Sequence, residues 1–534
     1  MKPVSLLLIL SLILLLSACN KADESTNFSE ITWNIGTEPK TLDPSLNTGL
    51  SGGTIINHTF EGLVREHNGI VKPGIASSWE TSDDGLTLTF NLRKSKWSDG
   101  STLTAHDFIY AWKRNMDPLT ASGMSWIWQY TNVLGADQAV EGLGSLEDVG
   151  ISAPDDYTLV LQLTQPTDYL VSLLSLYHFM PQNASVVATA SDGAWAFNPE
   201  IAITNGPFIL SDYQLGGHMK LSKNQNYWDE DNIALKQMTV HFIDEASTAF
   251  QAYMAGDLDA NANIPNEEIS MLLASNTELY PFSLLGTYYY NLNLQRDLWK
   301  NPLVRNAIQL AIDQKAITEA LGSGQVPATT LIPPGFNDSE GKDFHETFIS
   351  AHSKTNDYNP EKARQLLAEA GFPNGENFPE FDLLFNTSDS HKQIAEMIQA
   401  MLKDQLNIKV TLQNEEWAVF VDTKKSGNFD AARGSWLADF PDPIGMLAIF
   451  NSDYSGNSGG YNNPEFDALI DKAHQSAGKA HYDLLYQAQT VLMADMPIIP
   501  IYHYTDYWLV DDVITGWERS TLGYMDFSRV ILAD

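Results

Sequence analysis

Apolar positions along the chain follow two different periods. Leu86 to Leu92 alternates apolar and polar residues, and Tyr157 to Leu163 does much the same. A period of two predicts half-buried strands. Asp83-Asp84-Gly85 before the first and Pro154-Asp155-Asp156 before the second are turn formers. Farther along, the period lengthens. Asn301-Pro302 supplies a helix N-cap and a proline at the first helical position. Leu303, Ala307, Ile308, Ala311 and Ile312 then form an apolar stripe, and Gly322 closes it near Leu321, which predicts one helix. Asn359-Pro360 and Gly371 bracket a second helix, and Asn463-Pro464 opens a third. Phe381 to Phe385 and Ile408 to Leu412 read as strands around a helix from about His391 to Leu406. The chain is mixed α/β, and the stretch from about 290 to 505 has enough elements for its own core. There is no internal repeat of ~20–50 residues.

The N-terminus differs from the rest. Lys2 precedes an apolar run from Val4 to Leu16, broken only by Ser5 and Ser11. A charged start and a short apolar stretch form a signal-peptide pattern, below the ~20 residues that span a bilayer. The run ends in Leu16-Ser17-Ala18-Cys19, and Cys19 is the single cysteine. This resembles the bacterial lipobox, which implies cleavage before Cys19 and lipidation of its thiol; a lone buried cysteine is the alternative. An intrachain disulfide is impossible with one cysteine. Asn20 to Glu30 is polar and small and reads as a tether. No other segment reads as transmembrane.

Composition narrows the function classes. The 534 residues carry 31 basic and 67 acidic side chains, a formal charge of −36, which excludes a nucleic-acid binder built on broad basic surface. Thirteen Trp, 21 Tyr and 23 Phe allow large cores. At ~100–200 residues per domain, the length suggests about three domains or lobes.

Several strings then appear in order. They include Gly36-Thr37-Glu38-Pro39-Lys40-Thr41-Leu42-Asp43-Pro44, Gly74-Ile75-Ala76-Ser77-Ser78-Trp79-Glu80 and Trp97-Ser98-Asp99-Gly100. Leu103-Thr104-Ala105-His106-Asp107-Phe108-Ile109-Tyr110-Ala111-Trp112, Asn205-Gly206-Pro207-Phe208 and Gly286-Thr287-Tyr288-Tyr289-Tyr290-Asn291 follow. Trp436-Leu437-Ala438-Asp439-Phe440 and Met496-Pro497-Ile498-Ile499-Pro500-Ile501-Tyr502 complete the set. From about residue 31 to 525 the chain resembles the extracytoplasmic solute-binding proteins of peptide ABC transporters, most of all the oligopeptide-binding type.

The resemblance implies an α/β, two-lobed periplasmic-binding-protein fold with an additional domain inserted in the first lobe. It implies a signal peptide at 1–18 and a lipid-anchored tether at 19–30. The first lobe is expected from 31–45, 175–285 and 506–534, the inserted domain from 46–174, and the second lobe from 286–505. The implied protein is no enzyme and needs no metal or cofactor. It is a monomer held at the periplasmic or outer face of the cytoplasmic membrane by lipid, binding short peptides and delivering them to permease subunits. The same fold binding a metal chelate, sugar or haem, or acting as a peptide sensor, is the alternative.

A peptide brings an ammonium, a carboxylate and unpaired backbone groups, and each charge buried in a closed cleft needs an opposite partner. The resemblance places the ammonium-binding aspartate at Asp439; composition alone reads it as a turn carboxylate before Pro441-Asp442-Pro443. Arg433 matches an arginine near the peptide's C-terminal end, where its planar fork suits a carboxylate; pairing with Asp430 is the alternative. His391 and Lys424 match basic positions at that end, Lys424 replacing an arginine, and a helix-start histidine and a loop lysine are the plain readings. Tyr110 and Trp436 match cleft aromatics, core packing being the alternative. Leu50 lies in the loop Gly49-Leu50-Ser51-Gly52-Gly53, where relatives place an edge segment along the peptide and glycines permit close approach.

Two departures stand out. Relatives carry two cysteines at positions matching Gly286 and Leu437, so that bridge is absent. Relatives also carry a lysine where this chain has Glu319-Ala320-Leu321-Gly322.

Other patterns compete weakly. Gly49-Leu50-Ser51-Gly52-Gly53 and Gly456-Asn457-Ser458-Gly459-Gly460 match G-x-S-x-G, but each follows a turn where a nucleophile elbow needs a strand. The 12 histidines are scattered with no H-E-x-x-H; His474 and His481 read as surface positions on one helix.

Overall fold

The computed structural model describes residues 29–532 apart from 68, 191, 276–277 and 353–356. Cys19 and its signal pattern lie outside the described residues. Among the described residues, no helix is long and apolar enough to cross a membrane.

One eleven-stranded sheet runs through the structure. From one edge its order is Phe208–Gln214, His218–Lys223, Gln237–His241, Glu30–Asn34 and Ala260–Asn261. Next come two long strands, Ile498–Val510 and Leu279–Leu292. Beyond them the sheet ends with Ala431–Leu437, Phe381–Asn386 and Val410–Glu415. The short Val326–Pro327 strand pairs alongside Ile498–Val510.

The two long strands pair with each other through a break in register. Leu279 to Ser283 face Leu509 to Thr505, and Thr287 to Asn291 face His503 to Ile498. Between Ser283 and Thr287 four steps on one strand oppose two on the other, from Thr505 to His503. Such a bulge bends and twists a pair locally.

At that end of the sheet, Phe381–Asn386 lies parallel to both Val410–Glu415 and Ala431–Leu437. The helix Asp389–Leu406 connects the first two, burying Ile394, Ala395, Ile398, Leu402 and Leu406 at helical spacing. The carboxyl ends of these parallel strands open on one edge, the usual ligand position in open α/β sheets. His391 follows one such end and Asp439 follows another.

A separate antiparallel sheet has the order Ala76–Thr81, Thr87–Leu92, Thr158–Gln162 and Ile151–Asp155. The two alternating segments seen in the sequence are neighbours, Phe90 opposite Leu159. The helix Ala105–Met116 starts with a capping box between Thr104 and Asp107 and packs Trp112 against Trp128 and Phe179. Arg114 on this helix reaches Asp43 with two hydrogen bonds of 2.8 Å, tying the helix to a segment 71 residues earlier.

Three local expectations need correction. The apolar stripe after Pro302 belongs to two helices, Pro302–Ala311 and Gln314–Leu321. Asp313 breaks it by capping the second, its side chain accepting from Ala316 N. His474 and His481 sit on separate helices, Pro464–His474 and Gly478–Asp495. His481 is buried, held by Ala473 O at 2.8 Å and Asp442 at 3.2 Å. The Gly49–Gly53 segment is the cap and first turn of the helix Leu50–Thr59 rather than a loop. Its glycines serve protein packing, since a Cβ on Gly53 would lie 2.6 Å from the Tyr177 and Tyr524 rings, and one on Gly52 would overlap Asn47.

Candidate ligand cleft

The strand Ala431–Leu437 carries the first group of charged residues. Arg433 stands directly across from Tyr290, with Ser435 and Tyr288 the next pair on the same face. Its guanidinium lies 5.0 Å from the Tyr288 ring centre and donates to Tyr504 Oη at 3.2 Å. Its Nε is buried with no hydrogen-bond partner. Asp430 does not serve it: that carboxylate approaches Arg296 at 3.8 Å and accepts from Asp382 N.

Two more basic groups gather here. His391, in the first turn of Asp389–Leu406, places Nδ1 3.4 Å from Tyr288 Oη. Burial, and then the Arg433 charge, push its pKa down to about 4. Lys424 sits in the last turn of the helix Trp417–Lys425, not in a loop. Burial and Arg433 push it down to about 8. Among the described residues, no carboxylate lies within ion-pair distance of Arg433, His391 or Lys424. Arg433 and Lys424, repelling each other without an anion, are a costly arrangement that a ligand carboxylate would relieve, and His391, neutral above a pKa of about 4, offers a hydrogen bond beside them.

Asp439 is the opposite case. It follows the end of the same strand, six positions after Arg433. Burial alone pushes its pKa up to about 6, and no cation among the described residues pairs with it. Its neighbours are tyrosines from three parts of the chain. Tyr130, Tyr454 and Tyr524 each have a raised pKa, chiefly from burial, and the Asp439 charge contributes to each. Trp436 lies on the other face of its strand from Arg433, donating Nε1–H to Gly445 O at 3.0 Å and meeting Tyr454 edge-on.

The remaining predicted residues stand apart from these groups. Tyr110 is half-buried on its helix, near Arg114 and Asp43. Leu50 is 51% exposed and lines a cavity of about 280 Å³ with Ile35, Asp506 and Trp508. Sequence reasoning missed Tyr130, Tyr288, Tyr454, Tyr504 and Tyr524. Tyr288 was open to discovery, since the period of the Tyr288-Tyr289-Tyr290 run puts 288 and 290 on one face. Among the described residues, no group of three or more His, Cys, Asp or Glu could hold a metal ion.

Comparison with known proteins decides the family. The model for bacterial extracellular solute-binding proteins, family 5 (middle part), matches residues 71–458. This chain belongs to that family. The family 5 protein described here is 34% identical to the oligopeptide-binding protein OppA of Bacillus subtilis, over 96% of each chain. It overlays on MppA, a periplasmic murein tripeptide-binding protein in its unliganded open form, with a TM-score of 0.83, 31% identity and coverage of 94% and 97%. On Haemophilus influenzae OppA in complex with RPPGFSPFR the TM-score is 0.72, at 30% identity and coverage of 95% and 99%. The chain thus superposes better on the open relative than on the peptide complex, with coverages within two percentage points of each other. The Gly286 and Leu437 positions lie directly across from each other.

Proposed function

We propose that this protein captures short peptides between its lobes and hands them to the permease of an ABC transporter. The observation that carries this reading is the pair of unmatched charges along one strand. Asp439 lacks a cation at one end, and Arg433 and Lys424, with the neutral His391 beside them, lack an anion at the other. A peptide supplies both missing charges at the two ends of one extended chain. Six residues of strand span at most ~20 Å, which suits peptides of about three to five residues at ~3.4 Å each.

In this reading the first lobe comprises 31–45, 175–285 and 506–534, the insertion 46–174, and the second lobe 286–505. The register break between Ser283 and Thr287 supports the boundary on one connecting strand, and its partner positions Thr505 and His503 support the other. The better overlay on an open relative supports an open, ligand-accepting conformation. Binding closes the lobes by bending at the two long strands, a hinge motion that selects the closed state through its extra contacts. In this reading Leu50 and Tyr110 approach the peptide only as the lobes close, and Trp436 supports the strand from the face away from Arg433. The lipobox pattern at Cys19 supports a lipid anchor on the outer face of the cytoplasmic membrane.

Small-angle scattering of the chain from residue 20 tests this directly. A free tripeptide is expected to reduce the radius of gyration, and glycerol or a monosaccharide is not. An unchanged radius at saturating peptide would refute the proposal.

A further inference from the structure

The residue after Asp439 is held from outside its own lobe. Phe440 is buried, 5.5 Å from the Tyr169 ring at an angle of 24° and 5.2 Å from the Tyr130 ring. Both tyrosines come from the inserted segment. Around this contact the two parts are joined further. Gln165 Nε2 donates to His474 O at 2.9 Å, and Gly478 N donates to Asp168 Oδ2. Tyr169 lies 5.9 Å from the His481 ring, and His481 holds the buried Asp442 at 3.2 Å. On the other side, Ala438 N donates to Leu285 O at 2.7 Å, beside the register break of the long strands. Asp439 therefore sits between an anchor on the connecting strand and a clamp from the insertion.

We propose that Tyr169 and Tyr130 are positioning residues for Asp439: by clamping Phe440 they keep the ammonium end of the cleft assembled before the lobes close. This rests on the reading of Asp439 as the ammonium site. The geometry makes the contact a fulcrum. Rotation of the second lobe about a point beside Asp439 leaves that carboxylate almost in place. It moves Arg433, up to ~20 Å farther along the strand, through the larger arc. The amine end is then read first and the carboxylate end on closure. The burial that raises the Asp439 pKa already exists in the open form, as a preassembled site requires. Preorganisation of this kind removes ordering cost at the moment of binding.

The test is the affinity of the chain from residue 20 for trialanine and for N-acetyl-trialanine, in wild type and in Tyr169→Ala, Tyr169→Phe and Tyr130→Ala. Wild type is expected to favour the free amine at least tenfold. Tyr169→Ala is expected to weaken the free peptide tenfold or more and the acetylated one less than threefold, collapsing the ratio. Tyr169→Phe keeps the ring and is expected to keep the ratio. Tyr130→Ala, at a half-buried rim position, is expected to lower the ratio and serves if Tyr169→Ala fails to fold. An unchanged ratio in both alanine variants, or equal weakening of both peptides, would overturn the clamp. A wild type that ignores acetylation would instead overturn the ammonium reading itself.

Discussion

Asp439→Asn is the sharpest perturbation of the cleft. Burial raises the carboxyl from an ordinary 3.8 to about 6, with no opposing cation. Each pKa unit is worth about 1.4 kcal/mol, so ionising this group in the folded protein costs about 3 kcal/mol more than in the unfolded chain. The folded state binds the proton more tightly than the unfolded one. Stability from this group therefore falls as pH rises from about 4 to 6, and the full penalty applies above pH 6. Asparagine keeps the shape and removes the charge. The ligand-free variant is expected to unfold at a higher temperature than wild type at pH 7.5, with the difference vanishing near pH 4. Ligand binding shows the converse. A free-amine peptide needs the ionised carboxylate, which is about nine-tenths protonated at pH 5 when its pKa is about 6. Affinity is expected to fall about tenfold from pH 7 to pH 5, and Asp439→Asn is expected to bind weakly with no such slope. Calorimetry and thermal unfolding across this range measure both. A variant no more stable than wild type at pH 7.5, with an unchanged pH slope of binding, would refute the reasoning.

Other outcomes follow from the same contacts. Arg433→Met removes the charge that holds down its neighbours, so the His391 pKa, about 4 in wild type, is expected to rise in an NMR titration, and peptides with a free carboxylate are expected to lose at least tenfold in affinity. Gly286 and Leu437 form a non-hydrogen-bonded cross-strand pair, as the Ala438 N to Leu285 O bond shows. Such pairs have Cα atoms ~4.5 Å apart, within disulfide range, so Gly286→Cys with Leu437→Cys in a Cys19-free chain is expected to lose both free thiols on mild oxidation. His481→Leu strands the buried Asp442 and is expected to cost about 3–5 kcal/mol in denaturant unfolding. Asp442 raises the His481 pKa against the opposing effect of burial; that stabilisation is complete below pH 6.5 and fades above the raised value. Cys19→Ser is expected to release the protein from membranes in a detergent phase-partition assay, and retention would argue against the anchor.

What the sequence discloses follows from range. The Phe381–Asn386, Asp389–Leu406, Val410–Glu415 unit is legible because its periods, caps and turns lie within a few residues of each element. Asn301, Asn359 and Asn463 all cap the helices that their Asn-Pro pairs announce. The break at Asp313 escaped because apolar spacing continued through it, although an aspartate before Gln314-Lys315-Ala316 carries the cap signal. His481 was misplaced because its partner, Asp442, lies 39 residues away. The continuous sheet through both lobes, and its register break, exist only in the pairing of strands about 200 residues apart. The charged groups show the same limit. Resemblance could nominate Arg433, Lys424 and His391, but their lack of an anion follows from which carboxylates the fold sends elsewhere, Asp430 to Arg296 among them.

The central claim is that two terminal charges of a peptide fill two unmatched sites. Titration calorimetry of the chain from residue 20 measures it most directly, with tri-, tetra- and pentaalanine, each free, N-acetylated, C-amidated and doubly blocked. The account predicts tight binding of at least one free peptide, a loss of tenfold or more for each single block, and no measurable heat with the doubly blocked form. Equal affinity for free and doubly blocked peptides, or no binding by any of them, would contradict it.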